Sequence, residues 1–363
     1  MAFDHGSLTL AMFSLREDVP DNVLELFAAR KAGALDSVDA EPQLGWVAGR
    51  HLLDTDFTGE GVAPGGCYYL ALRQAVRKIP ASLLNALCKR EEYARLAAEN
   101  KEYLKSRDKK EIREEIMEKY LQKMPPALSG IPMVIDPARR RLYVGASSRT
   151  QLDLFIEQFY AVLQQEPVQI TPEYFMEEFF NLTCSSVPAL ESGDTRSTEA
   201  QIGRDFLMFL WYYSETAGKI TVPDYGEFDV MIEGPLVFSG EGSDRGAGEA
   251  VIKKGDSPLR SAEAKAAVAV GKKLKKAVIT ITREEKIWSG TFDADQFVVT
   301  SLKLPESEEM NDFERFADRM EFVDIFIAAL GGYFKLFAES MLDGKDAATS
   351  KSVREWARSR DAI

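Results

Sequence analysis

A long charged segment, residues 82–124, lies among segments of strand and helix character and sets the first limit on the fold. It is dense in Lys, Glu and Arg, and Pro125-Pro126 ends it because proline cannot continue a helix. Ser106 to Asp108 divides the segment, since Asp108 with Glu111 three residues later resembles a capping box. The segment therefore predicts a helical hairpin or one long projecting arm.

Short runs of strand-forming residues occur on both sides of this arm. The predicted strands are residues 7–15, 67–76, 228–238 and an antiparallel meander over residues 274–304. Residues 131–135 and 142–144 predict a hairpin whose basic tip carries Arg139, Arg140 and Arg141. With the predicted helices, these strands place the chain in the α+β class, with mixed, mostly antiparallel sheets.

The last predicted helix, residues 311–338, carries apolar residues spaced alternately by three and four from Phe313 to Phe334. This stripe fits the core-facing side of one helix or a seam between two subunits, and we favour the core. Gly331-Gly332 is expected to interrupt the stripe. The tail, residues 344–363, lacks apolar periodicity and is expected to be flexible.

The length of the chain limits its domain organisation. A chain of 363 residues with 45% hydrophobic content holds more than one core usually accommodates. We therefore predict an N-terminal α+β region over residues 1–170, which includes the charged arm, and a C-terminal α+β region over residues 171–343. The tail follows the second region.

Histidine and cysteine are scarce, which argues against several classes of catalytic and metal site. The two histidines, His5 and His51, offer almost nothing for a His-rich metal centre or a His-based triad. Cys67, Cys88 and Cys184 are odd in number and lack CxxC spacing, so neither a disulfide framework nor a zinc site is predicted. We expect no cofactor, no export signal, no membrane span and a location in the reducing cytoplasm.

The distribution of charge is more informative than its total. The formal net charge of −13 argues, on its face, against nucleic acid as a partner. Residues 80–141 and 251–286, however, carry +4 and +6, whereas residues 142–250 carry −13. A basic working surface within an acidic chain can bind phosphates locally, although solvated helix faces would explain the same composition.

The strongest chemical feature is the second basic region. Its candidate phosphate-binding lysines are Lys253, Lys254, Lys265, Lys272, Lys273, Lys275 and Lys276. One helix continuing from Ser261 would place three of them on one stripe, whereas Gly271 favours a helix end, after which Lys272 to Lys276 would open the meander. Either arrangement clusters amines that would contact phosphates without reading bases, so binding is expected to be nonspecific and salt-sensitive.

Two other motifs have simpler explanations. Gly240 to Gly248 superficially resembles a phosphate-binding loop, but it lacks the Gly-Lys-Ser/Thr ending and carries two acids, which favours a flexible loop. Asp293 and Asp295 are spaced to share one side of a strand and hold Mg²⁺, yet their position between two phenylalanines of the meander favours a turn.

Several collinear stretches resemble one family, that of the bacterial recombination-associated protein RdgC. They are Leu44–Val47, Lys78–Leu84, Met133–Asp136, Val251–Lys253 continuing through Gly271 to Lys276, Arg315–Asp318 and Ala328–Gly332. Lys253, Lys272 and Lys276 match basic positions of the family pattern, and Lys123 matches a basic position before the loop that follows the charged helix. Pro125-Pro126 departs from the aromatic residue expected in that loop, and the segment 219–250 is longer than in shorter members.

The resemblance implies a ring-forming homodimer of multi-domain subunits that passes duplex DNA through a basic central hole and restrains RecA-promoted strand exchange. The leading hypothesis is therefore a non-enzymatic protein that binds double-stranded DNA, with single-stranded DNA as a further ligand, in the cytoplasm at the nucleoid. Lys123, Arg139, Arg140, Arg141 and the seven lysines are the candidate DNA contacts, and no catalytic residue is assigned. The alternatives are a metal-dependent exonuclease and a scaffold whose basic regions bind acidic proteins.

Overall fold

The computed structural model describes residues 3–193, 200–240, 248–253, 258–309 and 311–360. The chain divides into two compact units. The sheet unit comprises Met1–Val19, Ala63–Tyr68 and Val134–Ile363, and the arm unit comprises Pro20–Val62 and Tyr69–Met133. The predicted division at residue 170 does not coincide with these units, because each is assembled from segments distant in sequence.

The strands confirm the predicted mixture of α and β structure. They are β1 (Leu8–Ser14), β2 (Gln43–Ala48), β3 (Tyr68–Val76), β4 (Ala127–Asp136), β5 (Arg141–Val144), β6 (Val168–Gln169), β7 (Ile220–Val222), β8 (Gly226–Ser239), β9 (Glu249–Ile252), β10 (Lys273–Arg283), β11 (Lys286–Asp293) and β12 (Val298–Lys303). The hairpin and the meander lie where the alternation of apolar residues predicted them.

The helices lie between and after these strands. They are α1 (Val23–Ala28), α2 (Ala81–Glu99), α3 (Ser106–Leu121), α4 (Arg149–Leu163), α5 (Pro172–Phe180), α6 (Ile202–Thr216), α7 (Ala262–Ala269), α8 (Asp312–Met341) and α9 (Asp346–Ser359). Among the described residues, no single helix has the length and apolar composition to cross a membrane, although α8 and α9, bent by 110°, pass that test as a pair.

The sheet unit is built on antiparallel strands in the order β5-β1-β12-β11-β10-β8-β7, with β6 beside β1 and β9 beside β8. In β10 the alternate residues Ala277, Ile279 and Ile281 are fully buried. Helix α6 packs against β8 and β10 on that side, and the indole of Trp288 in β11 donates to the carbonyl of Phe322 in α8 at 2.9 Å. The sheet is therefore covered by helices on one face, and β10 lies in its interior.

Helix α8 shows that the heptad-like stripe faces the core. Its stripe residues from Phe316 to Phe334 are all buried within the sheet unit. The helix also continues through Gly331-Gly332, contrary to the expected interruption. A Cβ at Gly331 would lie 3.2 Å from the ring of Phe175, and one at Gly332 would lie 2.8 Å from Val222. The two glycines permit close packing rather than ending the helix.

The tail differs from the flexible segment that we expected, because α9 forms within it. Val353 is fully buried, and the Trp356 ring meets that of Trp211 edge-on at 5.2 Å. The guanidinium of Arg360 lies 4.4 Å from the Trp211 ring centre. A few large side chains hold this helix in place. Its sequence therefore lacks the regular apolar repeat from which a helix is predicted.

The arm unit contains the predicted helical hairpin. Helices α2 and α3 pack through a small apolar cluster that includes Leu84, Leu87, Ile112 and Ile116. Asp108 lies at the third helical position of α3 and accepts from the backbone N–H of Lys105 at 3.1 Å. Asp108 therefore closes the first turn from inside the helix, whereas the sequence suggested that it preceded the helix.

Candidate nucleic-acid interface

The second basic region does not form one surface, because its lysines on β10 differ in burial and in the carboxylates that they meet. The amine of Lys273 pairs with the carboxylate of Asp205 on α6, on the helix-covered side of the sheet. The amine of Lys276 lies 2.7 Å from the carboxylate of Asp293, its directly opposed residue on β11. The pairing of β10 with β8 is irregular between Leu274 and Lys276. The two lysines therefore differ in burial and in the carboxylate that each one meets.

Lys273 is a structural residue, which corrects its assignment as a DNA contact. It is 4% exposed, and Asp205 is completely buried. The backbone N–H of Leu190 also donates to Asp205, at 3.2 Å. Burial raises the pKa of Asp205, and the neighbouring Lys273 opposes that shift. A buried, paired amine cannot reach a phosphate without breaking the fold.

Lys275 lies beside two carboxylates, of which Glu249 on β9 is 3.3 Å away and Asp295 is 3.9 Å away. Asp295 is also bound by the guanidinium of Arg204 on α6. Asp293 accepts backbone N–H groups of Asp295 and Gln296 at 3.0 and 3.2 Å. The two aspartates therefore form the expected turn and ion pairs in place of a shared metal site.

Across residues 3–193, 200–240, 248–253, 258–309 and 311–360, no three His, Cys, Asp or Glu side chains group closely enough to hold a metal ion. The loop at residues 241–247, which resembled a phosphate-binding loop, lies outside the described residues, as does Lys254.

Three other lysines lie beside the C-terminal end of β8, which pairs with β9 along one edge and with β10 along the other. Lys253 follows Ile252, which opposes Leu236 of β8. Lys276 opposes Val237, and the side chain of Lys272 lies against Gly240, where a Cβ would be 3.1 Å from it. The three positions span about five residue steps of chain, or roughly 17 Å. We call Lys253, Lys272 and Lys276 the lysine edge.

Lys265 lies on α7, and this helix ends before Lys272. Gly271 has φ of +85° and follows the last helical turn, so the alternative of one continuous helical stripe is wrong. The amine of Lys265 is exposed and donates to the carbonyl of Arg360 at 2.6 Å. Lys265 is therefore near the lysine edge in sequence but belongs to the junction of α7 with the C-terminal segment.

The arginines at the tip of the β4–β5 hairpin are each engaged within the sheet unit. Arg139 lies 2.8 Å from Asp136 and 3.2 Å from Asp324, and these carboxylates raise its pKa. Arg140 pairs with an exposed carboxylate, that of Asp18, at 2.7 Å, and Arg141 donates to the hydroxyl of Tyr174 at 3.0 Å. DNA phosphates would have to displace these partners before they could bind the arginines of the tip.

Lys123 belongs to the arm unit and follows α3. Its exposed amine lies 5.1 Å from the ring centre of Tyr120. Arg90 donates to the Tyr120 hydroxyl at 3.0 Å, and this hydrogen bond, with nearby Lys119 and Lys123, lowers the pKa of the phenol. The end of the helical hairpin thus gathers three cations around one aromatic ring.

The face of the sheet opposite α6 carries hydroxyl groups that the sequence motifs did not single out. On this face Thr280 opposes Ser289, and Thr291 opposes Thr300. Lys276 lies on the same side, because it precedes Thr280 by an even number of residues. We call Thr280, Thr282, Ser289, Thr291 and Thr300 the hydroxyl face. The alternating threonines of β10 carry the signal that would have identified it, and Asp229 and Glu233 of β8 border it.

Residues 10–178 match the family model described as "Putative exonuclease, RdgC". This region, a little under half of the chain, is similar to the RdgC family. The resemblance seen in the sequence is thereby confirmed, and it supports an RdgC-like, recombination-associated protein. The match includes Lys123 and the arginine tip, whereas the lysine edge lies beyond it. No curated protein matches the chain.

Proposed function

We propose that this RdgC-like chain binds double-stranded DNA without sequence specificity and acts in recombination. The lysine edge carries the proposal. Its three backbone positions span roughly 17 Å along β8, comparable with about five phosphates along one DNA strand. Flexible ammonium groups contact phosphates as point charges and do not discriminate bases, so the chemistry favours nonspecific binding.

The acidic total charge is compatible with this function because charge acts locally. Exposed charges separated by more than about 10 Å are largely screened at 0.1 M salt. Lys276 lies beside the hydroxyl face. The partly exposed hydroxyls of Thr282 and Thr291 would donate further hydrogen bonds to phosphate oxygens, whereas the buried Thr280 hydroxyl already donates to Glu233 at 2.7 Å. The carboxylates of Asp229 and Glu233 would repel phosphates from the adjoining surface and so weaken binding there. Weaker binding suits a protein that must also dissociate from DNA.

We further propose, from the family assignment, that the chain acts as a homodimer that encloses the duplex and limits RecA-promoted strand exchange. A second copy would supply a second lysine edge. The proposed location is the cytoplasm, at the nucleoid, and single-stranded DNA is a second proposed ligand. Lys123 and the arginine tip are proposed as secondary contacts.

The test is binding of the purified full chain to two labelled duplexes of equal length and unrelated sequence, followed by fluorescence anisotropy. We expect dissociation constants that agree within about twofold and weaken together as salt rises. A strong preference for one duplex would contradict nonspecific recognition. Absence of binding at low salt would favour the protein scaffold.

An exonuclease is the second candidate function, and the name of the matched family model is the observation that favours it. The same duplexes are incubated with the protein and Mg²⁺, and product lengths are measured. The DNA-binding proposal expects intact strands. Shortened strands, produced by the wild type and absent with Asp293→Asn, would replace it with metal-dependent hydrolysis.

A further inference from the structure

A small cavity of about 230 Å³ lies between α7, α9 and the chain at Ser192 and Gly193. Its charged lining consists of Lys265, Arg354 and Arg358, and its apolar lining includes Val268 and Ala357. None of these residues belongs to the lysine edge. The volume is below the range of about 300–1,000 Å³ typical of sites for drug-sized molecules, and a water occupies about 30 Å³ in the liquid. One small ligand with a few waters would fill it.

The cavity is strongly cationic. Three of its lining residues carry a positive charge, and none of the described lining residues is an acid. Arg354 pairs with the carboxylate of Glu191. Lys265 uses one of its three protons on the Arg360 carbonyl, and a guanidinium has five N–H donors, of which this ion pair occupies only part. Donors therefore remain for an anion.

Ser192 provides an independent observation that points to a ligand. It lines the cavity and is 3% exposed, yet its hydroxyl has no hydrogen-bond partner among the described residues. Buried hydroxyls are hydrogen-bonded in the large majority of cases. The neighbouring backbone is well fixed, since the N–H of Glu191 donates to the Ser350 hydroxyl at 3.2 Å.

We propose that this cavity binds a phosphate group, as the free anion or as the terminal phosphate of a nucleic acid. Lysine and arginine would donate charge-assisted hydrogen bonds to its oxygens, and the Ser192 hydroxyl would donate another. The site is separate from the lysine edge and does not depend on the proposed DNA binding. It would couple the C-terminal segment to a phosphate ligand, because Lys265 already contacts Arg360.

A purely structural role is the competing explanation for the cations. Helices α7 and α9 both end near the cavity, and positive side chains stabilise helix C-termini. That role predicts a lower unfolding temperature when one of these cationic side chains is replaced, but an unchanged rise in unfolding temperature on addition of phosphate. The phosphate-binding role predicts that the response itself disappears.

The experiment measures the unfolding temperature of the full chain against inorganic phosphate, at constant ionic strength and pH with chloride as the replacement anion. The wild type should show a saturable rise over phosphate concentrations on the order of 10 mM. Lys265→Gln and Arg358→Gln should each weaken the apparent affinity by roughly tenfold, the effect of removing one charge-assisted hydrogen bond. Ser192→Ala should weaken it by a smaller factor.

Lys351→Gln is the matched control, because Lys351 is an exposed lysine of α9 whose amine lies 3.9 Å from Glu355 and which does not line the cavity. It should retain the full response. A wild type without a saturable response, or equal responses in all variants, would overturn the proposal. No DNA is present in this assay, so its failure is distinct from failure of the proposed function.

A second arm separates the two phosphate sources. Short duplexes with a 5′-phosphate or a 5′-hydroxyl are compared as competitors of phosphate in the same unfolding assay. Preference for the 5′-phosphate that disappears in Lys265→Gln assigns the cavity to nucleic-acid ends, whereas equal behaviour of the two duplexes assigns it to the free anion. Both results support the site, and a duplex preference that survives Lys265→Gln counts against it.

Discussion

Lys273 and Lys276 lie on the same strand, three residues apart, but their surroundings differ. Lys273 therefore has a structural role, whereas Lys276 is a candidate contact for DNA. Lys273 meets Asp205 under α6, where both residues are buried. Lys276 meets Asp293 on the open face, where 41% of the lysine side chain is exposed. The composition of the cluster is uniform, but the difference in burial gives its members different roles.

The energies of the two pairs differ for the same reason. Removing one partner of a buried pair leaves a charge without water or counter-ion, which typically costs about 3–5 kcal/mol. A pair at the surface contributes roughly 0–1 kcal/mol, because water already solvates both ions. The surface pair can therefore be exchanged for a phosphate, whereas the buried pair cannot.

The largest expected effect is on stability, from breaking the buried pair. Asp205→Leu alone should lower the free energy of unfolding by about 3–5 kcal/mol, because it strands the buried amine of Lys273. Urea unfolding at a fixed pH measures this. The double variant Asp205→Leu/Lys273→Met should recover much of that stability, since it removes both charges. A single variant within about 1 kcal/mol of the wild type would show that the pair is not buried in solution.

The next effect is on DNA affinity, from the open face. Lys276→Gln should weaken binding to duplex by about tenfold near 0.1 M salt, the value of one phosphate contact. Anisotropy titrations compare it with Lys351→Gln, which removes an exposed lysine from α9. The two variants should unfold at similar urea concentrations. Equal affinities of the two variants would show that Lys276 does not contact DNA. Lys276 and Lys273 would then differ only in burial.

The smallest effect concerns the carboxylate that shields Lys275. Glu249 lies 3.3 Å from the Lys275 amine and is half exposed. Glu249→Gln should raise duplex affinity by about twofold, because it removes a nearby negative charge that is largely screened by solvent. The same titrations detect it. A weaker affinity would mean that Glu249 positions Lys275 for DNA instead of competing with DNA for it.

The sequence predicted the elements better than the partners of their side chains. The meander and the stripe of α8 follow from local alternation and helical spacing, which the chain carries in consecutive residues. The burial of Lys273 depends on Asp205, which lies 68 positions earlier on another helix, and no local pattern relates the two. For the same reason α9 was missed, since its stability depends on Trp356 meeting Trp211.

The candidate site was predicted in part. Lys253, Lys272 and Lys276 were selected from clustering and family resemblance, and the pairing of β9 and β10 with the two edges of β8 places them at the same end of that strand. The hydroxyl face was missed because neutral side chains add nothing to a charge pattern, although its alternating threonines were visible in the sequence. The binding roles of Lys123, Arg139, Arg140 and Arg141 stay predictions.

The salt dependence of duplex binding tests most directly the claim that the lysine edge, and not the whole basic cluster, binds DNA. The slope of log affinity against log salt should become shallower by about 0.9 for each phosphate that the protein no longer neutralises, or roughly 2.7 in Lys253→Gln/Lys272→Gln/Lys276→Gln. Asp205→Leu/Lys273→Met should keep the wild-type slope. A triple variant with an unchanged slope, or a buried-pair variant with a shallower one, would contradict the account.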